Sequence, residues 1–92
     1  MSLSDRAWKH IRERHPEVSR YRSVIEDTAS NPEIIMEGRW GERKAIRYLN
    51  KTHLGPKYLV VVYAERSGRK AIITAYLTSD KKKVKGEIVW KA

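Results

Sequence analysis

Apolar residues fall first at helical and then at strand spacing along this chain of 92 residues. Leu3, Ala7, Trp8, Ile11 and His15 share one stripe of helical period, with Ser4 placed as N-cap and Asp5 in the first turn. Pro16 disfavours helical geometry at the residue before it, so the first helix is expected to end at about Arg14. Val18, Tyr21, Val24, Ile25, Thr28 and Ala29 repeat the period, and Asn31-Pro32 supplies a stop. Two helices over about residues 4–30 are therefore expected.

From Glu33 the period shortens to β-branched and aromatic runs: Ile34 to Glu37, Arg43 to Asn50, Tyr58 to Glu65, Lys70 to Thr78 and Glu87 to Trp90. Segments rich in Gly, Pro, Ser or charge separate them, and Lys81-Lys82-Lys83 in the last reads as a hairpin tip. Connections this short imply antiparallel neighbours. The expected fold class is α+β, two N-terminal helices packed on a four- to five-stranded antiparallel sheet over about residues 33–91, all in one domain of residues 1–92. Strand order is not readable. In the fourth run, alternation sets Ile72, Thr74, Tyr76 and Thr78 against Ala71, Ile73, Ala75 and Leu77, and the second, wholly apolar set is expected to face the helices.

Charge changes the picture. The chain carries a formal +9, with nine Lys or Arg and eight Asp or Glu in residues 1–46 but eleven and three in residues 47–92. The positive field thus belongs to the strand half. Such a surface draws polyanions through counterion release, so nucleic acid leads the expected partners, followed by an acidic protein. The longest apolar run, Leu59 to Ala64, is far short of a membrane span, and Met1 to Leu3 carry no apolar signal stretch. A cytoplasmic location with no membrane partner is expected. The absence of Cys excludes a disulfide framework and Cys-ligated zinc.

Three His remain for acid–base chemistry. His10 and His15 are five residues apart, about 140° around a helix, with neither the i, i+4 spacing nor a third ligand that a metal site would need. No metal or cofactor is expected. His15 ends the core stripe and His10 flanks it. An isolated His at a helix end usually bonds a carbonyl, and His53, in a loop, reads as a solvated residue. A His beside cations also suits cleavage of RNA by its own 2′-hydroxyl, which needs a base, an acid and cations around the phosphate. On that reading His15 and His10 transfer protons, Arg39, Arg43, Lys44 and Arg47 hold phosphate, and Thr74 and Tyr76 donate hydrogen bonds to it. All eight aromatic residues are Trp or Tyr. Trp40, between Arg39 and Gly41, is placed to stack on RNA bases or to cap the core edge, whereas Trp8, Tyr21, Tyr58, Tyr63 and Trp90 are expected to be structural.

The segment Lys9 to Glu17 (KHIRERHPE), then Asn31 to Ile35, the strand Tyr58 to Tyr63 and the strand Ala71 to Tyr76 follow one another as in the barnase, EndoU, colicin and RelE-like nuclease superfamily. The chain resembles the phage-associated branch most, and is similar in layout to BrnT-type toxins. The resemblance spans about His10 to Thr78. It implies two helices on an antiparallel sheet, metal-independent endoribonuclease activity, and often the toxin's place in a toxin–antitoxin pair with an acidic antitoxin. Residue by residue, it implies a proton-transfer role for His15, phosphate contacts for Arg43 or Arg47, and a late-strand hydroxyl at Thr74. The non-catalytic alternatives are an RNA-binding module and a basic protein that docks an acidic partner.

Overall fold

The computed structural model describes residues 3–92, so the expectation for Met1 and Ser2 lies outside the described residues. Helix α1 spans Asp5–Arg14, a 3-10 turn Pro16–Val18, and helix α2 Arg22–Ser30. The strands are β1 Ile34–Glu37, β2 Glu42–Leu49, β3 Lys57–Arg66, β4 Arg69–Thr78 and β5 Ile88–Lys91. This is the α+β layout expected, two N-terminal helices on a five-stranded antiparallel sheet.

Local chemistry accounts for the helix ends. Ser4 Oγ accepts the Ala7 N–H at 3.1 Å, which satisfies one of the donors a helix leaves unpaired at its start. Pro16 stops α1 and opens the 3-10 turn. That turn takes Val18 out of the second helix, which begins at Arg22 and not at Val18 as periodicity predicts. Val18 is nevertheless fully buried, in the core beneath the helices. Arg22 fastens the two helix starts together, donating to Asp5 Oδ1 at 2.8 Å and to the Leu3 carbonyl at 3.3 Å.

The sheet order is β4-β3-β2-β1-β5. Strands β1 to β4 form a meander, but β5 departs from it. Residues 79–87 do not close a hairpin beside β4. They cross the sheet as a strap and deliver β5 to the far side of β1, so Lys81–Lys83 is a 3-10 turn on that strap and not a hairpin tip. Three contacts hold the strap down. Val84 is buried against Met36, Ile46, Val60 and Val62; Lys44 Nζ donates to the Lys85 carbonyl at 2.8 Å; and the Glu37 N–H donates to the Glu87 carbonyl at 2.9 Å.

The sheet consequently has two apolar faces. Ala45, Leu59, Val61, Tyr63, Ile72 and Ala75 meet Trp8, Ile11, Ile25 and Ala29 beneath the helices. The opposite face carries the smaller cluster around Val84. Strict alternation along β4 fails at one point. The register against β3 slips between Val62 and Tyr63, so that Thr74 pairs with Val62 while Ile72 pairs with Tyr63. The extra residue is Ile73. This bulge turns Ile72 into the helix-covered core, 4% exposed, and sends Ile73 outward, 38% exposed, the reverse of the expected pair. Trp90, expected in the core, is 44% exposed on the edge strand β5.

Candidate functional site

Cross-strand pairing sorts the expected phosphate ligands onto different faces, because paired residues share a side. Lys44 pairs with Met36 and Val62, and Val62 with Thr74, so Lys44 and Thr74 lie on the strap-bearing face. Arg43 pairs with Tyr63, and Arg47 with Leu59, both of which belong to the helix-covered core. Arg47 is committed there to a 2.5 Å bond to Asp27 of α2. The four cations named from the sequence are therefore not one cluster.

On the strap-bearing face the structure brings together Arg39, Lys44, Thr74 and Tyr76 in a groove of about 750 Å³. Val62 and the bulged Ile73 give it an apolar part, and the strap contributes Lys83, Lys85 and Gly86. Glu37, Glu42 and Glu87 also line it. Sequence reasoning missed the strap residues and the carboxylates. The strap's path depends on β5 pairing with β1, which nothing in the local pattern reveals. The available signal was Gly86, a lone glycine between Lys85 and Glu87 at the start of a strand-like run.

His15 reaches this face from the other side of the molecule. It caps α1, which packs on the helix-covered core beside the edge strand β4, and its ring centroid lies 5.7 Å from that of Tyr76 at a tilt of 37°. Glu17 places a carboxylate oxygen 3.5 Å from Nδ1. Burial pushes the Tyr76 hydroxyl above its ordinary range, which keeps it a neutral donor well past neutral pH. His10 is exposed on α1 and does not line the groove. His53 is not a free loop residue: the Tyr21 hydroxyl accepts its backbone N–H at 3.1 Å and lies 2.9 Å from its Nδ1.

Trp40 follows the groove residue Arg39 in the turn that leads to β2, without lining the groove itself. It is 92% exposed and adopts φ 52°, ψ 44°, left-handed backbone that a bulky residue rarely takes. The turn carrying it and the Arg66 to Arg69 hairpin lie at the same end of the sheet, since β1 and β3, each antiparallel to β2, run the same way and both finish there.

The groove can hold an anion by its cations, donate hydrogen bonds from Thr74 and Tyr76, and offer a titratable imidazole at its edge. Among the described residues no group of three or more His, Asp or Glu is arranged to hold a metal ion, and no helix is long and apolar enough to cross a membrane. Compared with known proteins, the chain matches no family model, no curated protein and no solved structure at a significant level.

Proposed function

We propose that the protein is a metal-independent endoribonuclease whose substrate lies in the groove between the strap and β4. The observation that carries this reading is the packing of the His15 ring on Tyr76, which lines the groove with Thr74 and Lys44. In the reaction the 2′-oxygen attacks the adjacent phosphorus and gives up its proton to a base. The phosphorus–5′-oxygen bond breaks, and an acid protonates the departing oxygen. The products are a 2′,3′-cyclic phosphate and a 5′-hydroxyl end. His15 performs one of these transfers, with Glu17 positioning its ring. Glu42, half-buried on the groove wall, replaces His10 as the second titratable group. Lys44, Lys83, Lys85 and Arg39 offset charge developing on the phosphate, and Thr74 and Tyr76 donate to its oxygens.

Cleavage of a labelled RNA in EDTA, with analysis of the ends, tests the mechanism. Cyclic phosphate ends are expected, and a product carrying a 3′-hydroxyl refutes it. His15→Ala should lower turnover by about 10²- to 10⁴-fold, the usual contribution of one acid or base, with the melting temperature little changed.

RNA binding without cleavage is the second reading, favoured by the separation of His10 from His15 and by the exposure of Trp40. It predicts salt-sensitive RNA binding that His15→Ala leaves unchanged. In a toxin–antitoxin setting the same cations would meet an acidic antitoxin, and co-purification of a small acidic chain tests that partner.

A further inference from the structure

The strap divides the exposed side of the sheet, and the groove occupies only the part toward β4. On the other part, one row beyond the Ile46 and Val60 pair, two residues later in β2 and two earlier in β3, Tyr48 lies opposite Tyr58, which lies opposite Thr78. The Tyr48 and Tyr58 rings are 5.1 Å apart at 56°. Tyr58 is half-buried against the Val84 cluster, while Tyr48 is 46% exposed. The Tyr48 backbone is fixed as well, its N–H donating to Glu33 Oε1 at 2.7 Å. Tyr48 thus presents a ring that leans on Tyr58 and is otherwise largely open to solvent.

Cations lie on the strands and the strap to either side of it. The exposed Lys81, Lys82 and Lys83 follow shortly after Thr78 at the end of the same row, and Lys91 pairs with Ile34 one row away. An open aromatic ring on a lysine-bearing surface complements one kind of ligand in particular, an unpaired nucleobase whose backbone is anionic.

We propose that Tyr48, backed by Tyr58, is a stacking platform for a second nucleobase of the single-stranded RNA that enters the groove. The inference rests on the RNA-binding part of the reading above and adds a path: the strand leaves the groove, crosses the lysines of the strap and stacks on Tyr48. Lys44 in the groove and Tyr48 on the platform are separated by four residues of one strand, about 13 Å. A dinucleotide has a single step, about 3.4 Å when stacked and roughly twice that when unstacked, too short to serve both, whereas a dodecanucleotide spans them easily.

The test is fluorescence anisotropy on the intact protein with oligoadenylates of two and twelve residues, 2′-O-methylated so that in-line cleavage is blocked. Tyr48→Ala should weaken the dodecamer by about 5- to 150-fold, the range produced by losing one base–aromatic stack, and leave the dinucleotide unchanged. Tyr48→Phe, which keeps the ring, should bind as the wild type does. If the wild type binds the dodecamer and Tyr48→Ala binds it within twofold, the platform is refuted and RNA binding by the groove stands. Equal losses on dinucleotide and dodecamer also refute it, because the substitution then acts on the groove or the fold. Failure of the wild type to bind the dodecamer overturns both proposals.

Discussion

Gly86 is the position where one added methyl group should do most damage. A Cβ built there would lie 2.1 Å from the Glu37 carbonyl oxygen and 3.2 Å from its carbon, and the backbone sits at φ 135°. The obstacle is main chain of the neighbouring strand, so no side chain can rotate aside. The conformation alone costs a non-glycine residue about 1–3 kcal/mol. Relieving the clash moves the strap away from β1, which sacrifices the 2.9 Å bond from the Glu37 N–H to the Glu87 carbonyl, worth about 0.5–1.5 kcal/mol net. It also exposes part of Val84, a side chain whose full burial contributes about 1.5–3 kcal/mol. Gly86→Ala should therefore destabilise by about 3–5 kcal/mol, and each kcal/mol shifts the melting temperature of a domain this size by about 4–8 °C. Gly68→Ala is the control. Its φ is also positive, at 76°, but nothing lies within 4 Å of the added carbon, so only a backbone cost of about 1–2 kcal/mol applies. Urea unfolding followed by circular dichroism compares the two. Equal losses in Gly86→Ala and Gly68→Ala would refute the argument that the strap is held by close backbone approach.

Ile72→Ala should cost about 2–5 kcal/mol and Ile73→Ala within about 0.5 kcal/mol of nothing, measured by the same unfolding; the reverse order, which unbroken alternation predicts, would refute the bulge. The Tyr63 and Tyr76 hydroxyls are both raised above the usual 10.0 by burial, Tyr63 being pulled partly back by Arg43 and pushed further by Glu65. The folded state therefore holds these protons more tightly than the unfolded state. The stability they contribute is fully present below pH 10 and lost as pH rises through the folded values. Tyrosinate absorbance should show this: subtracting the Tyr63→Phe or Tyr76→Phe titration from that of the wild type should leave a component with its midpoint above 10.

The elements were legible because their signals are local. Ser4, Asp5 and Pro16 bracket α1 within a few residues, and β1 emerges with the expected bounds, Ile34 to Glu37. Two features were not. The bulge at Ile73 leaves no mark in the composition of a uniformly apolar run, since Ile72 and Ile73 are the same residue type and only the register with β3 tells them apart. The route of the strap was equally hidden. A nine-residue connection is long for a hairpin but admissible as one, and the choice is made by the free edge of β1 together with the apolar cover that Met36, Ile46, Val60 and Val62 require.

The candidate site illustrates why residue types were easier to name than their grouping. Arg43, Lys44 and Arg47 look alike in sequence, yet a strand sends odd and even positions to opposite faces, and the face carrying Arg43 and Arg47 is the one the helices cover. Arg47 then finds Asp27 on α2, which satisfies its charge before any ligand arrives. The even position faces the strap, and there the positive field is assembled from chain segments about forty residues apart, Lys44 meeting Lys83 and Lys85. The excess charge of residues 47–92 thus bears on the groove chiefly through the strap. Thr74 and Tyr76 are the exceptions that sequence placed together, because they alternate on one strand beyond the bulge, and their shared face is unaffected by the slip. His15 joins them for a reason that is again local: α1 stops before Pro16 while packed beside the edge strand β4, so the residue capping that helix meets Tyr76.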